Sequence, residues 1–215
     1  ITGLAGTKTF TVAVGSPVSI TETRNITLNH GTATKLVLTT GASGAVNRTN
    51  FGTQPVVSVQ DVSGNPVSNF VGRVSVSAVS AGSNTLTAFT GTLERELTNS
   101  PTETFTDLRL DGKVGSYTLT YASDGLTPVS QEISLAHGEA KSLSLSSTSR
   151  AVNNETISDV VVRIFDQDQN LVTTGNPSIS LAGSSADLTG TLVRNASEGI
   201  ATFPGLKFIG LVGPK

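Results

Sequence analysis

The 215-residue chain has no cysteine, no methionine and no tryptophan. No disulfide can brace it and no thiolate can hold a metal, so each folded unit must rest on its apolar core. Charge is also scarce: 14% of residues are charged and the net charge is −2, which leaves no electrostatic footprint for nucleic acid or an anionic membrane surface. No hydrophobic run is long enough to span a bilayer, so no direct membrane insertion is expected of this segment. No glycine-rich phosphate loop leads into a helix and no serine-nucleophile motif occurs. The expectation is a protein that is not an enzyme, without catalytic residues or cofactor. What is abundant is serine and threonine, 57 together, with 23 valines, and that balance suits pleated strands rather than helices.

Short strings recur in the same order. Ile1 to Lys8 (ITGLAGTK), Leu110 to Tyr117 (LDGKVGSY) and Phe208 to Lys215 (FIGLVGPK) are three versions of one octapeptide. Asn25 to Gly31 answers Glu132 to Gly138, Ala33 to Leu38 answers Ala140 to Leu145, and Asp61 to Val67 answers Asp166 to Val172. Gly91-Thr92-Leu93 likewise answers Gly190-Thr191-Leu192. The unit that repeats is a domain of roughly a hundred residues rather than a solenoid repeat. The expected boundaries are 1–31 for the closing strands of a preceding repeat, 32–139 for a complete repeat and 140–215 for the opening part of a following one.

Period-two alternation runs through the units. Tyr117, Leu119 and Tyr121 face one way against Ser116, Thr118 and Thr120, as do Phe10, Val12 and Val14, then Val74 and Val76, then Val160, Val162 and Ile164. Turn-forming clusters such as Ser63-Gly64-Asn65-Pro66, Ser123-Asp124-Gly125 and Gly175-Asn176-Pro177 separate the runs. About seven such strands per repeat predict an all-β fold of tandem immunoglobulin-like antiparallel β-sandwiches with Greek-key connections. In the octapeptide, Gly3 and Gly6, Gly112 and Gly115, and Gly210 and Gly213 are expected to shape the turn into the late strand.

The string Pro55-Val56-Val57-Ser58-Val59-Gln60-Asp61, then Gly64-Asn65-Pro66-Val67, and at a distance Gly115-Ser116-Tyr117-Thr118-Leu119-Thr120, resembles the bacterial immunoglobulin-like repeats of large surface proteins such as invasin and intimin. The second copy departs from the pattern with Gln169 where Gly64 stands. The resemblance implies a structural or adhesive role at the cell surface, outside the cell. Neighbouring repeats or identical subunits are the implied partners, together with a possible host or cell-surface receptor or glycan.

Several residues are chemical candidates. Asp166, Asp168 and Asn170 have the alternate spacing with which oxygen ligands open a calcium loop, but the loop glycine and distal glutamate of an EF-hand are missing, and a hairpin turn capped by Asx side chains accounts for the same residues. His30 and His137 occupy equivalent places before a glycine, where a structural role at a junction outweighs a ligand role. Four sequons make Asn25, Asn47, Asn154 and Asn195 glycosylation candidates. Counted from Ala33 and Ala140, Asn47 and Asn154 align, in a loop expected to be exposed. Lys8 and Lys215 are equivalent, but Tyr117 at the same position of the complete repeat argues against a shared isopeptide crosslink.

The chain does not start with Met and stops within a repeat, so targeting or anchoring segments are expected elsewhere if they exist. Two arrangements are open. A longer polypeptide carries more repeats, which needs no special mechanism; or separate subunits form a filament or surface layer, completing one another by strand exchange. An accessory carbohydrate-binding module of a secreted enzyme is a third reading. It needs aromatic platforms, and alternation places Tyr117 and Tyr121 on the core side with Leu119.

Overall fold

Eighteen strands and no helix make up the described part of the chain, residues 3–18, 20–183 and 187–210 of the computed structural model. Among these residues no helix is long and apolar enough to cross a membrane. The fold is all-β, built of several antiparallel sheets. Ile1, Thr2 and residues 211–215, with Gly213 and Lys215, lie outside the described residues.

β1 (Gly6–Val14) and β2 (Ile20–Leu28) form a hairpin pairing Gly6 with Leu28 and Val14 with Ile20. The alternation of Phe10, Val12 and Val14 predicts a core face, but these residues are 48%, 59% and 56% exposed. No second sheet lies over them among the described residues.

Nine strands follow in 35–135 rather than about seven. β3 (Lys35–Thr40), β4 (Val56–Gln60), β5 (Val71–Ser80), β6 (Leu86–Thr90), β7 (Glu94–Thr98), β8 (Thr102–Thr104), β9 (Arg109–Gly112), β10 (Gly115–Ala122) and β11 (Val129–Leu135) assemble into sheets ordered β11-β10-β5-β7, β3-β4-β8 and β6-β9. One of the two extra strands has a local cause: left-handed Asn99 (φ 52°) and Pro101 break the run between Glu94 and Thr104, so that β7 and β8 enter different sheets. The two faces close over a core in which Val59, Val74, Phe105, Leu108, Leu110, Tyr117, Leu119 and Tyr121 are fully buried. Each large side chain taken from water contributes about 1.5–3 kcal/mol, so the alternating residues of β10 hold this sandwich shut.

The two core tyrosines differ in their polar tips. The Tyr117 hydroxyl reaches the carbonyls of Lys113 at 2.6 Å and Thr85 at 3.1 Å. That of Tyr121, whose ring packs on Phe105 at 5.8 Å, meets no partner among the described residues, and burial pushes its phenol pKa up. A buried hydroxyl without a partner costs roughly 1–3 kcal/mol. Tyr121→Phe is therefore expected to raise the unfolding free energy by about 1 kcal/mol and Tyr117→Phe to lower it by about 1 kcal/mol, read from urea titrations of the two variants.

β12 (Ser142–Ser146), β13 (Val160–Phe165), β14 (Ser178–Ser180), β15 (Leu188–Thr189), β16 (Val193–Asn195), β17 (Ile200–Phe203) and β18 (Lys207–Phe208) pair as β12-β13-β17, β14-β16 and β15-β18 around a smaller core of Val160, Val162, Ile164, Phe203 and Leu206. β12 pairs with β13 as β3 pairs with β4, Leu143 opposite Ile164 and Leu36 opposite Val59. Their environments differ sharply. Leu36 is 4% exposed within the larger core, whereas Leu143 and Leu145 are 63% and 62% exposed.

Candidate functional site

The polar residues that recur along the chain converge where one unit meets the next. After β4 and again after β13 the chain turns through an Asp-x-x-x-Asn hairpin, and the two copies match bond for bond. Asp61 Oδ1 accepts the amides of Ser63 and Asn65, as Asp166 Oδ1 accepts those of Asp168 and Asn170, all at 2.9 Å. Asn65 Nδ2 donates to Asp61 Oδ2 at 2.8 Å, and Asn170 Nδ2 to Asp166 Oδ2 at 2.9 Å. Gln169 takes φ 59° where Gly64 takes φ 87°, so the change of residue leaves the turn intact. The left-handed region costs a residue with a side chain roughly 1–2 kcal/mol, part of which glycine gives back as chain entropy. Gln169→Gly is expected to stabilise the unit by about 0.5–1 kcal/mol, measured as a shift in its urea midpoint.

These hairpins reach back to the preceding unit. Asn170 Nδ2 donates to the carbonyl of Gly112 at 2.8 Å, and its Oδ1 accepts the amide of Val114 at 2.9 Å. Asn65 does the same to Gly3 at 3.0 Å and Ala5 at 2.6 Å. The repeated octapeptide is thus the backbone surface on which the next unit's asparagine docks. Gly112 has φ 158°, and a Cβ there would sit 2.5 Å from the carbonyl oxygen of Thr85. The linker is fastened by the same carboxylate: Gly31 N donates to Asp61 Oδ2 at 2.7 Å, and Gly138 N to Asp166 Oδ2 at 2.8 Å. His30 and His137 place Nδ1 at 3.0 and 2.9 Å from the carbonyls of Gly31 and Gly138, with Nε2 turned to Ser68 and Thr174 respectively.

The second junction carries a further layer. Asn47 Nδ2 donates to Asp166 Oδ2 and Asp168 Oδ2, both at 2.9 Å, while its Oδ1 accepts Gly112 N at 2.9 Å. Arg48 clasps Asp168 through Nε at 2.6 Å and Nη2 at 3.1 Å, Thr87 donates to the same carboxylate, and Lys113 Nζ reaches the carbonyl of Gln169 at 2.9 Å. Asn47 is 3% exposed, and both polar atoms of its side chain are committed. The exposed loop expected at this sequon is therefore corrected: Asn47 is walled in by the neighbouring unit. Asn25, Asn154 and Asn195 are exposed, and Asn25 accepts a hydrogen bond from Thr9.

The pairing of Asn47 with Asn154 is also corrected. The amides of Arg48 and Asn154 donate to the carbonyls of Leu110 and Phe208, and these two residues share left-handed φ values of 63° and 62°. Asn153 Oδ1 accepts Gly210 N at 3.1 Å, as Asn47 Oδ1 accepts Gly112 N. Asn47 thus corresponds to Asn153. β3 carries a bulge between Leu38 and Thr40 that β12 lacks, and this one extra residue displaces any count made from Ala33 and Ala140.

The proposed calcium ligands Asp166, Asp168 and Asn170 are together, but the Asp166 and Asp168 oxygens face N–H donors, and no group of three or more metal-ligating acidic, histidine or cysteine side chains occurs among the described residues. Asp166 is desolvated, which alone would raise its pKa; the Gly138, Asn170 and Asn47 donors overcome this and hold it at about 2, against an ordinary 3.8. The Gly138 counterpart, Gly31, leads the donors that hold Asp61 at about 2, and the Arg48 guanidinium leads those that lower Asp168. A carboxyl with a depressed folded pKa stabilises fully above its unfolded value and loses that contribution as pH falls through the folded value. The junction is therefore expected to hold down to about pH 3.8 and to weaken progressively toward pH 2, seen as a fall in melting temperature over that window and not between pH 5 and 7.

No protein-family model matches the chain, and no curated protein matches its sequence. Two solved structures align with the chain. Escherichia coli alpha-2-macroglobulin activated by porcine elastase aligns at 10% identity and a TM-score of 0.42, over 96% of this chain and 22% of that one. Domains 4–9 of the surface layer protein SbsC align at 17% identity and a TM-score of 0.32, over 97% of this chain and 34% of that one.

Proposed function

We propose that the chain is a length of a structural, adhesive array at the cell surface, in which immunoglobulin-like units are set end to end as an extracellular stalk or fibre. The observation that carries this reading is the duplicated latch: an Asp-x-x-x-Asn hairpin on one unit grips the glycine octapeptide of the unit before it, at Asp61–Asn65 and again at Asp166–Asn170. A flexible string of domains needs no such bonds. A load-bearing or distance-setting rod does, because a buried bidentate amide and a desolvated carboxylate fix one relative orientation. The resemblance to invasin- and intimin-like repeats supports the same reading. Sugar stacking gains no support, since Tyr117 and Tyr121 are 0% exposed.

Antibodies raised against the folded chain test the location directly. They are expected to label intact cells of the source organism and to decorate thin projections or a surface coat under the electron microscope. Labelling that appears only after lysis contradicts the proposal.

A further inference from the structure

The β1–β2 hairpin and the 140–210 unit are complementary surfaces. β1–β2 repeats the register of β10–β11: Gly6 opposite Leu28 and Phe10 opposite Arg24 correspond to Gly115 opposite Leu135 and Leu119 opposite Gln131. Phe10 and Val12 thus stand where Leu119 and Tyr121 are fully buried, yet they are 48% and 59% exposed, and Val14 and Ile20 on the same face are exposed as well.

The 140–210 unit shows the opposite half. β10 docks on the edge of β5, pairing Tyr121 with Val76 and Ala122 with Ser75. β14 is the counterpart of β5, because Leu181 N donates to Leu192 O as Val76 N donates to Leu93 O, both at 2.8 Å. Among the described residues β14 pairs only with β16, so the edge that β5 gives to β10 is open. Leu143 and Leu145 lie uncovered, whereas Leu36, the counterpart of Leu143, is buried.

We infer that the hairpin of one copy of this chain docks on the 140–210 unit of a second copy, continuing the array head to tail. The inference rests on the array reading above and adds its occupant. Polar groups at the seam also match. Asp61 accepts the same four intra-chain donors as Asp166 but lacks the fifth, which Asn47 supplies to Asp166; Asn153, exposed and already oriented by Gly210, is placed to supply it between copies. The charged pair Arg48–Asp168 becomes Asn154 opposite Ser63, so no charge is left unmatched.

The equivalences fix the register: Val12 faces Leu181 and Ala13 faces Ser180. Opposed residues of a hydrogen-bonded antiparallel pair lie about 5.5 Å apart at Cα, inside the roughly 4.4–6.8 Å that a disulfide spans. The chain has no native cysteine, so engineered pairs report alone. The full chain carrying Ala13→Cys and Ser180→Cys is expected to give a ladder of disulfide-linked multimers on mild oxidation, lengthening with concentration. A chain with Thr9→Cys and Ser180→Cys, four residues out of register, is expected to give at least tenfold less, and Phe10→Asp added to the first pair is expected to abolish the ladder. Absence of the ladder, or an equal ladder from the out-of-register pair, overturns the inference. The surface-labelling experiment is independent of it, so failure here with labelling intact removes the contact between copies and leaves the array.

Discussion

Asp166→Ala is expected to lower the unfolding free energy of the 140–210 unit by about 3–5 kcal/mol and to release it from its neighbour. No other single side chain at the junction accepts so much. Its two oxygens take the amides of Gly138, Asp168 and Asn170 and the side-chain amides of Asn47 and Asn170. Truncation removes the acceptor of five hydrogen bonds and leaves the three backbone amides without it, and the residue is 1% exposed, so water reaches that space poorly. Part of the loss is local, because the hairpin turn opens; the rest is between units, because Asn47 and the linker amide of Gly138 lose their anchor. Asn47→Ala separates the two parts. It leaves the turn bonds of Asp166 in place and removes the bonds that Asn47 sends to Asp166 and Asp168, together with the one it accepts from Gly112 N, so a smaller loss of about 1–3 kcal/mol is expected with the 140–210 unit still folded. Thermal unfolding followed by calorimetry, with amide exchange read on each unit, distinguishes these outcomes.

Phe203→Ala is expected to cost about 3–5 kcal/mol, comparable to the whole stability of a small domain. Phe203 is fully buried in a core with few other large side chains, against a larger one around Phe105, Tyr117 and Tyr121. The 140–210 unit should therefore melt while 35–135 stays folded. A nuclear magnetic resonance spectrum in which the signals of β12–β18 collapse and those of β3–β11 keep their dispersion is the expected result; loss of both sets together would mean that the two cores unfold as one.

The fold was legible because period-two alternation is a direct imprint of the pleat. Val160, Val162 and Ile164 read as one face and are one face, and the same holds for Tyr117, Leu119 and Tyr121. Alternation says which side is apolar but not whether anything covers it, which is why Phe10 and Val12 read the same and are open to solvent. The junction was half legible. The repeated octapeptide, the repeated Asp-x-x-x-Asn and the repeated His-Gly each stood out, but their meeting place depends on contacts such as Asn47 to Asp166, 119 residues apart. Sequon logic pointed Asn47 outward because it weighs only the local loop, whereas its burial comes from another unit. The bulge in β3 added one residue without any glycine or proline to mark it, and so concealed that Asn153 is the true counterpart of Asn47.

The central claim is that the duplicated latch sets one fixed orientation between consecutive units. Spin labels at Glu132→Cys and Thr191→Cys, both exposed and in a chain without cysteine, report the distance across the second junction. A single narrow distance distribution in the otherwise unaltered chain, broadening in the Asp166→Ala variant and on acidification toward pH 2, is the predicted result. A distribution equally broad in both chains at neutral pH would contradict it.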